Sequence, residues 1–93
     1  MLFNKPRNAQ EEKLLRAGYR KLFYINERSF DNAIVGVIGC RVVYDYGKMI
    51  DGLVEFGEMT EADAEDYLKE VIEPAIDVFG DTAPLIMHNI SFE

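Results

Sequence analysis

The stretch AIVGVIGCRVVYD, residues 33–45, decides the fold. It holds two short apolar runs rich in β-branched residues, Ala33–Ile38 and Arg41–Asp45, parted by Gly39-Cys40. Such side chains lose rotamer freedom in a helix and pack well on a pleated surface, so each run reads as a strand. Glycine at the first position of a two-residue loop supplies the positive φ of a type II′ turn. The stretch is therefore expected to be a β-hairpin. Gly36, inside the first run, either weakens that strand or marks the close approach of another element.

Helical periodicity takes over downstream. Asp45 is placed to cap a helix in which Tyr46, Met49, Ile50 and Leu53 recur at three- and four-residue spacing. Gly57 is its natural terminator. Gly47 and Gly52 leave this helix intrinsically weak, so it depends on tertiary packing. Thr60 then caps the clearest element of the chain, with Asp63 at its third position. Ala64, Tyr67, Leu68, Val71, Ile72, Ala75, Ile76 and Phe79 form one apolar stripe along it. Pro74 removes a backbone donor and should kink this helix, and Gly80 ends it. Leu85–Ile90 reads as a last short strand.

Upstream, Met1–Arg7 reads as a loose arm. Asn8 and Glu11 have the spacing of a capping box, and the helix they open is expected to run to about Tyr24, with Leu15, Tyr19, Leu22 and Phe23 near one face. The order is αββααβ. Residues 1–93 are read as a single α+β domain, a small three-stranded antiparallel sheet with helices packed on one face.

A chain of 93 residues can build one hydrophobic core, burying roughly 60–70% of its unfolded surface. It leaves little room for a deep multi-substrate cleft besides. The lone Cys40 makes no internal disulfide, and with no signal-peptide pattern the expected compartment is the cytoplasm. No apolar run reaches the roughly 20 residues of a membrane span, so no membrane partner is expected. The net charge of −7 is unevenly distributed. Residues 1–30 have a balance of +4, and residues 31–93 a balance of −11.

No pattern here signals catalysis, a metal or a cofactor. The glycines do not form a phosphate-binding loop or dinucleotide fingerprint. His88 has no second imidazole and no nucleophile motif near it in sequence. Cys40 has Arg41 beside it but no evident base. An enzyme would need Asp45, Cys40 and His88 to converge, and nothing in their spacing demands it. The carboxylates lack the order of a calcium loop. No catalytic, metal or cofactor-binding residue is therefore assigned.

Three clusters remain as candidate binding surfaces. Tyr44-Asp45-Tyr46 sets two aromatic rings and an acceptor at a strand-to-helix junction, and tyrosine is enriched at binding hot spots. The alternative is that one tyrosine packs in the core while Asp45 merely caps the helix. Glu61, Asp63, Glu65, Asp66, Glu70, Glu73 and Asp77 give the long helix an acidic face, broken by Lys69. Such a face is either simply solvated or an electrostatic surface for a basic partner. Lys13, Arg16, Arg20 and Lys21 make the N-terminal helix basic, suited to phosphate or to acidic groups of the same or another subunit. A sequence pI near 4.6 argues against nucleic acid as the partner.

The stretch from Asp31 to His88 resembles a family of small proteins encoded by bacteriophages and prophages. The shared pattern is DNAI at residues 31–34, RVVYDY followed by KM at residues 41–49, a G-MTE-DA-DYL helix start at residues 57–68, and GD-APLIM at residues 80–87. The resemblance covers about two-thirds of the chain and leaves out the N-terminal helix. It brings no established activity. It implies a phage setting, in which proteins of this size often bind and redirect host proteins. The leading expectation is thus a non-enzymatic protein that binds and modulates a host protein with a basic surface. Tyr44, Asp45, Tyr46, Glu61, Glu65, Asp66, Glu70 and Asp77 would carry the contact, in the host cytoplasm. One alternative is a small homo-oligomer sequestering a nucleotide-like ligand, with Lys13, Arg16, Arg20 and Lys21 lining a pocket between subunits. Another is a nucleic-acid-binding regulator that uses the same basic helix.

Overall fold

The hairpin forms where β-branched composition places it. The computed structural model describes residues 2–3, 9–19 and 22–88. Strands β3 (Ile34–Ile38) and β4 (Arg41–Asp45) pair antiparallel, from Ile38↔Arg41 beside the turn to Ile34↔Tyr44 at the far end. Gly39 takes the left-handed φ of +61° and Cys40 does not, as a II′ turn requires. Between Ile34 and Gly36 the register slips by one residue, so the strand carries a bulge at Val35. Gly36 belongs to that bulge. Nothing lies within 4 Å of where its Cβ would stand, so it marks no close approach.

Strand β5 (Leu85–Met87) completes a sheet of order β3-β4-β5, and here the sequence expectation is corrected. β5 runs parallel to β4, with Val43↔Leu85, Tyr44↔Ile86 and Asp45↔Met87, so the sheet is mixed rather than antiparallel. The cause is the path of the chain between them. β4 passes at Asp45 directly into helix α2 (Tyr46–Glu55), at one end of the sheet. The chain returns along a longer helical rod made of α3 (Glu61–Tyr67), a π-helical turn (Leu68–Ile72) and α4 (Glu73–Asp77). At 1.5 Å per residue this rod spans roughly 25 Å, enough to carry the chain past the opposite end of the sheet. There Arg41, the first residue of β4, donates from Nε to the Ala83 carbonyl at 2.7 Å. β5 thus starts beside the start of β4 and can only run the same way. Residues 89 and 90 of the expected last strand lie outside the described residues.

The N-terminal helix is also corrected. Helix α1 covers Ala9–Arg16 and does not continue to Tyr24. Gly18 takes φ +105°, Tyr19 N–H bonds the Leu14 carbonyl and Gly18 N–H bonds that of Leu15, both at 3.1 Å. This is a Schellman stop with glycine at its left-handed position. Tyr24 and Ile25 then form β2, antiparallel to Leu2–Phe3 (β1). Of the arm expected at residues 1–7, Leu2 and Phe3 are thus paired. The rest of that arm and the Asn8 cap lie outside the described residues.

The helices terminate for local reasons. Asp45 Oδ1 accepts from Lys48 N–H at 3.0 Å, and Thr60 Oγ1 accepts from Asp63 N–H at 3.1 Å, so both expected caps form. α2 ends near Gly57, but the left-handed residue is Glu58 at φ +55°. Gly57 serves another need: a Cβ there would stand 2.7 Å from the Leu53 carbonyl oxygen. In the rod, Glu73 N–H bonds the Leu68 carbonyl five residues back, the signature of a π turn. Pro74 follows at once. Its ring would clash with the carbonyl four residues earlier in a regular α-helix, and the widened turn ahead of it relieves that conflict.

One core joins these pieces. Val42 and Tyr44 from β4, Met49, Ile50 and Leu53 from α2, and Ala64, Leu68, Ile72 and Ile76 from the rod are all buried in it. Ile34, Val37 and Ile86 from the same face of the sheet pack against it. Phe30 and Ala33 enter from a 3-10 segment, Arg28–Ala33, that precedes β3.

Candidate interaction site

The rod sorts its residues into rows spaced by four. The buried row is Ala64, Leu68, Ile72 and Ile76. One flank is Glu61, Glu65, Lys69, Glu73 and Asp77. All of these are exposed except Glu73, which is half-buried. An ordinary α-helix advances 400° in four residues, so such rows drift around the axis. The π turn, with more residues per turn, cancels part of that drift. The acidic flank therefore stays on one side of the rod from end to end.

That flank looks toward the end of β4 and toward β5. The Tyr46 hydroxyl is held above its ordinary pKa, first by burial and then by the negative charges of Glu65, Glu73 and Glu61. The ring of Tyr46 stacks on that of His88, centroids 4.3 Å apart and planes 27° apart. At the other end of the flank lies an open groove of about 360 Å³, with Leu85 and Ile86 on the strand side and Glu73, Ile76 and Asp77 on the rod side. Arg41 closes the groove end nearest Ala83. β5 hydrogen-bonds to β4 on one edge, and among the described residues no strand pairs with its other edge.

The residues singled out from sequence fall in different places. Glu61, Glu65 and Asp77 share the flank just described. Asp66 and Glu70 are exposed on the adjacent row, which points away from the core. Tyr46 is half-buried near Glu61, Glu65 and Glu73. Tyr44 is only 1% exposed, and its hydroxyl accepts a bond from Ile25 N–H at 3.0 Å, tying β4 to β2. Asp45 is 6% exposed and occupied as a cap. Of the three residues of the aromatic corner, Tyr46 alone is appreciably open to solvent.

On α1, Arg16 pairs with Glu12 at 2.8 Å, Lys13 is exposed, and Arg20 and Lys21 lie outside the described residues. Cys40 is exposed at the hairpin tip, while His88 follows β5 at the opposite end of the sheet, so Asp45, Cys40 and His88 do not converge. Among the described residues no cluster of three or more His, Cys, Asp and Glu could hold a metal ion. No helix among them is long and apolar enough to cross a membrane. Comparison with protein-family models, curated proteins and solved structures finds no match to this chain.

Two members of the site were invisible in the sequence. His88 joins Tyr46 only because β5 is parallel to β4, which brings the ends of both strands together. The groove arises from the same topology. The one available signal was the four-residue spacing of Glu61, Glu65, Lys69, Glu73 and Asp77, acidic at all but its middle position.

Proposed function

We propose that this chain is a non-enzymatic binding protein whose acidic helical rod docks a partner with a basic surface. In the setting that the phage resemblance implies, the partner is a host protein whose activity is modulated by the contact. The observation that carries the reading is the fixed line of carboxylates, Glu61, Glu65, Glu73 and Asp77, running from Tyr46 to the groove beside β5, with Asp66 and Glu70 on the next row. A line of like charge held on a rigid rod, away from the core, raises the encounter rate with an oppositely charged surface. Tyr46 and His88 add aromatic area at low cost in side-chain entropy.

Native mass spectrometry of tagged protein from a nuclease-treated bacterial lysate should show a host protein in fixed ratio. Reversing charge at Glu65, Asp66 and Glu70 to Lys should abolish that complex. All three are exposed, so the thermal unfolding of the variant should be close to wild type. A complex that survives the triple reversal, or one that persists unchanged in molar salt, would overturn the reading.

A further inference from the structure

We infer that the partner contributes an extended segment, which adds as a fourth strand to the open edge of β5 and sets basic side chains at alternate positions against the acidic flank of the rod. This inference rests on the binding function proposed above and deepens it. Two features that come from different parts of the chain coincide here. The sheet ends in β5, whose outer edge is unpaired among the described residues. An unpaired edge is a template for another strand unless it is covered, charged or interrupted. Within β5, Leu85 and Ile86 are apolar and half-buried, Met87 is apolar and exposed, and none is charged. The groove then runs between this strand and Glu73 and Asp77 of α4, while Glu61 and Glu65 continue the line toward Tyr46 and His88.

The spacings agree. Carboxylates four residues apart on a helix recur about every 6 Å, and same-face side chains of a strand about every 6.8 Å. β5 is three residues long, so main-chain pairing holds the segment beside Leu85–Met87 only, and beyond that stretch the extended segment continues along the rod and presents one side chain per carboxylate. Lys69 stands at the middle of the row, which disfavours a basic residue at the middle position. The recognised sequence is therefore two basic residues at alternate positions, an uncharged one, then two basic residues again. Main-chain bonds to β5 supply affinity and the carboxylate row supplies selection, the usual division of labour in strand addition.

The probe is a synthetic nonapeptide, acetyl-KVKVTVKVK-amide, compared with the same peptide N-methylated on alternate residues so that one edge cannot donate. Binding to the full chain is read by fluorescence anisotropy, and backbone protection at residues 85–88 by hydrogen exchange. The unmodified peptide should bind and slow exchange at residues 85–88. At least one N-methylation register should weaken binding about tenfold or more, the loss of one to two net hydrogen bonds. Glu65→Lys with Glu73→Lys should weaken it similarly, and Glu65→Gln with Glu73→Gln should weaken it less. Circular dichroism of each variant checks that it is folded.

Equal binding by the unmodified and both N-methylated peptides would overturn the extended mode while leaving the acidic docking surface in place. So would failure of the unmodified peptide to bind, given a host complex that the triple reversal still abolishes. Peptide binding that ignores the charge reversals would overturn the role of the flank itself.

Discussion

Gly52 has no room for a methyl group. A Cβ at this position would stand 1.8 Å from the Ser29 carbonyl oxygen, because α2 presses backbone to backbone on the Arg28–Ala33 segment. That oxygen cannot swing aside as a side chain can, so the elements themselves must part. Gly52→Ala should destabilise the protein by about 1–3 kcal/mol, in the range of overpacked cores, despite the better helix propensity of alanine. Urea unfolding followed by circular dichroism checks this; an unchanged or raised midpoint would show that α2 does not lie so close. Asp45 poses a different single-residue question, cap or partner contact. Asp45→Ala should cost about 1 kcal/mol and Asp45→Asn much less, since asparagine also caps. Neither should alter partner binding, because the carboxylate is buried and already accepts from Lys48. Sequence pattern identified this cap, and the Thr60 cap, because the partner of a cap lies three residues away. It identified less about the glycines. Gly18, Gly52 and Gly57 act respectively through a left-handed φ, a tertiary approach and a clash with its own helix end, and the second depends on a residue far away in sequence.

Elements show the same divide. The sequence stripe from Ala64 to Phe79 included both Leu68 and Val71, as a regular helix of 3.6 residues per turn would have it. The π turn at Leu68–Ile72 shifts burial to a strict spacing of four. Leu68 is fully buried, while Val71 is 43% exposed. Leu68→Ala should therefore cost about 2–5 kcal/mol, and Val71→Ala about 0.5 kcal/mol or less. Comparable losses at the two positions, measured by chemical denaturation, would return the rod to a regular α-helix. Pro74 signalled a disturbance in this helix, but a kink and a widened turn satisfy the same missing donor and the same ring clash, and the sequence does not choose between them. The hairpin was legible from its turn and its β-branched runs, both local. The direction of β5 was not. It depends on where the rod delivers the chain and on the bond from Arg41 to Ala83, a contact between residues far apart in sequence.

At the scale of the whole molecule, three tyrosines join separate elements, each beside glutamate from another part of the chain. Tyr24 of β2 lies near Glu11 of α1, Tyr46 of α2 near Glu65, Glu73 and Glu61 of the rod, and Tyr67 of α3 near Glu27. In every case burial is the larger cause and the carboxylates add to it, and both raise the hydroxyl pKa above its ordinary value of 10.0. The fold thus favours the neutral phenol. In the unfolded chain the same groups ionise near their ordinary value. Their contribution to stability is therefore complete below about pH 10 and is lost as pH rises through the higher folded-state values. Thermal unfolding recorded from pH 8 to pH 11.5 should hold level on this account to about pH 10 and then fall steeply. Absorbance of ionised tyrosine should lag behind that of the urea-unfolded chain over the same window. Tyr46→Phe and Tyr67→Phe should each make the decline shallower, because one proton fewer separates the two states. A decline of equal slope in both variants would mean that the alkaline limit is set elsewhere. The carboxylates that add to the rise in the Tyr46 pKa are among those proposed to bind the partner. A basic segment seated on Glu61, Glu65 and Glu73 should therefore lower the Tyr46 pKa, so the same titration repeated with the arginine peptide RVRVTVRVR, whose guanidinium groups stay charged above pH 10, reads occupancy of the groove.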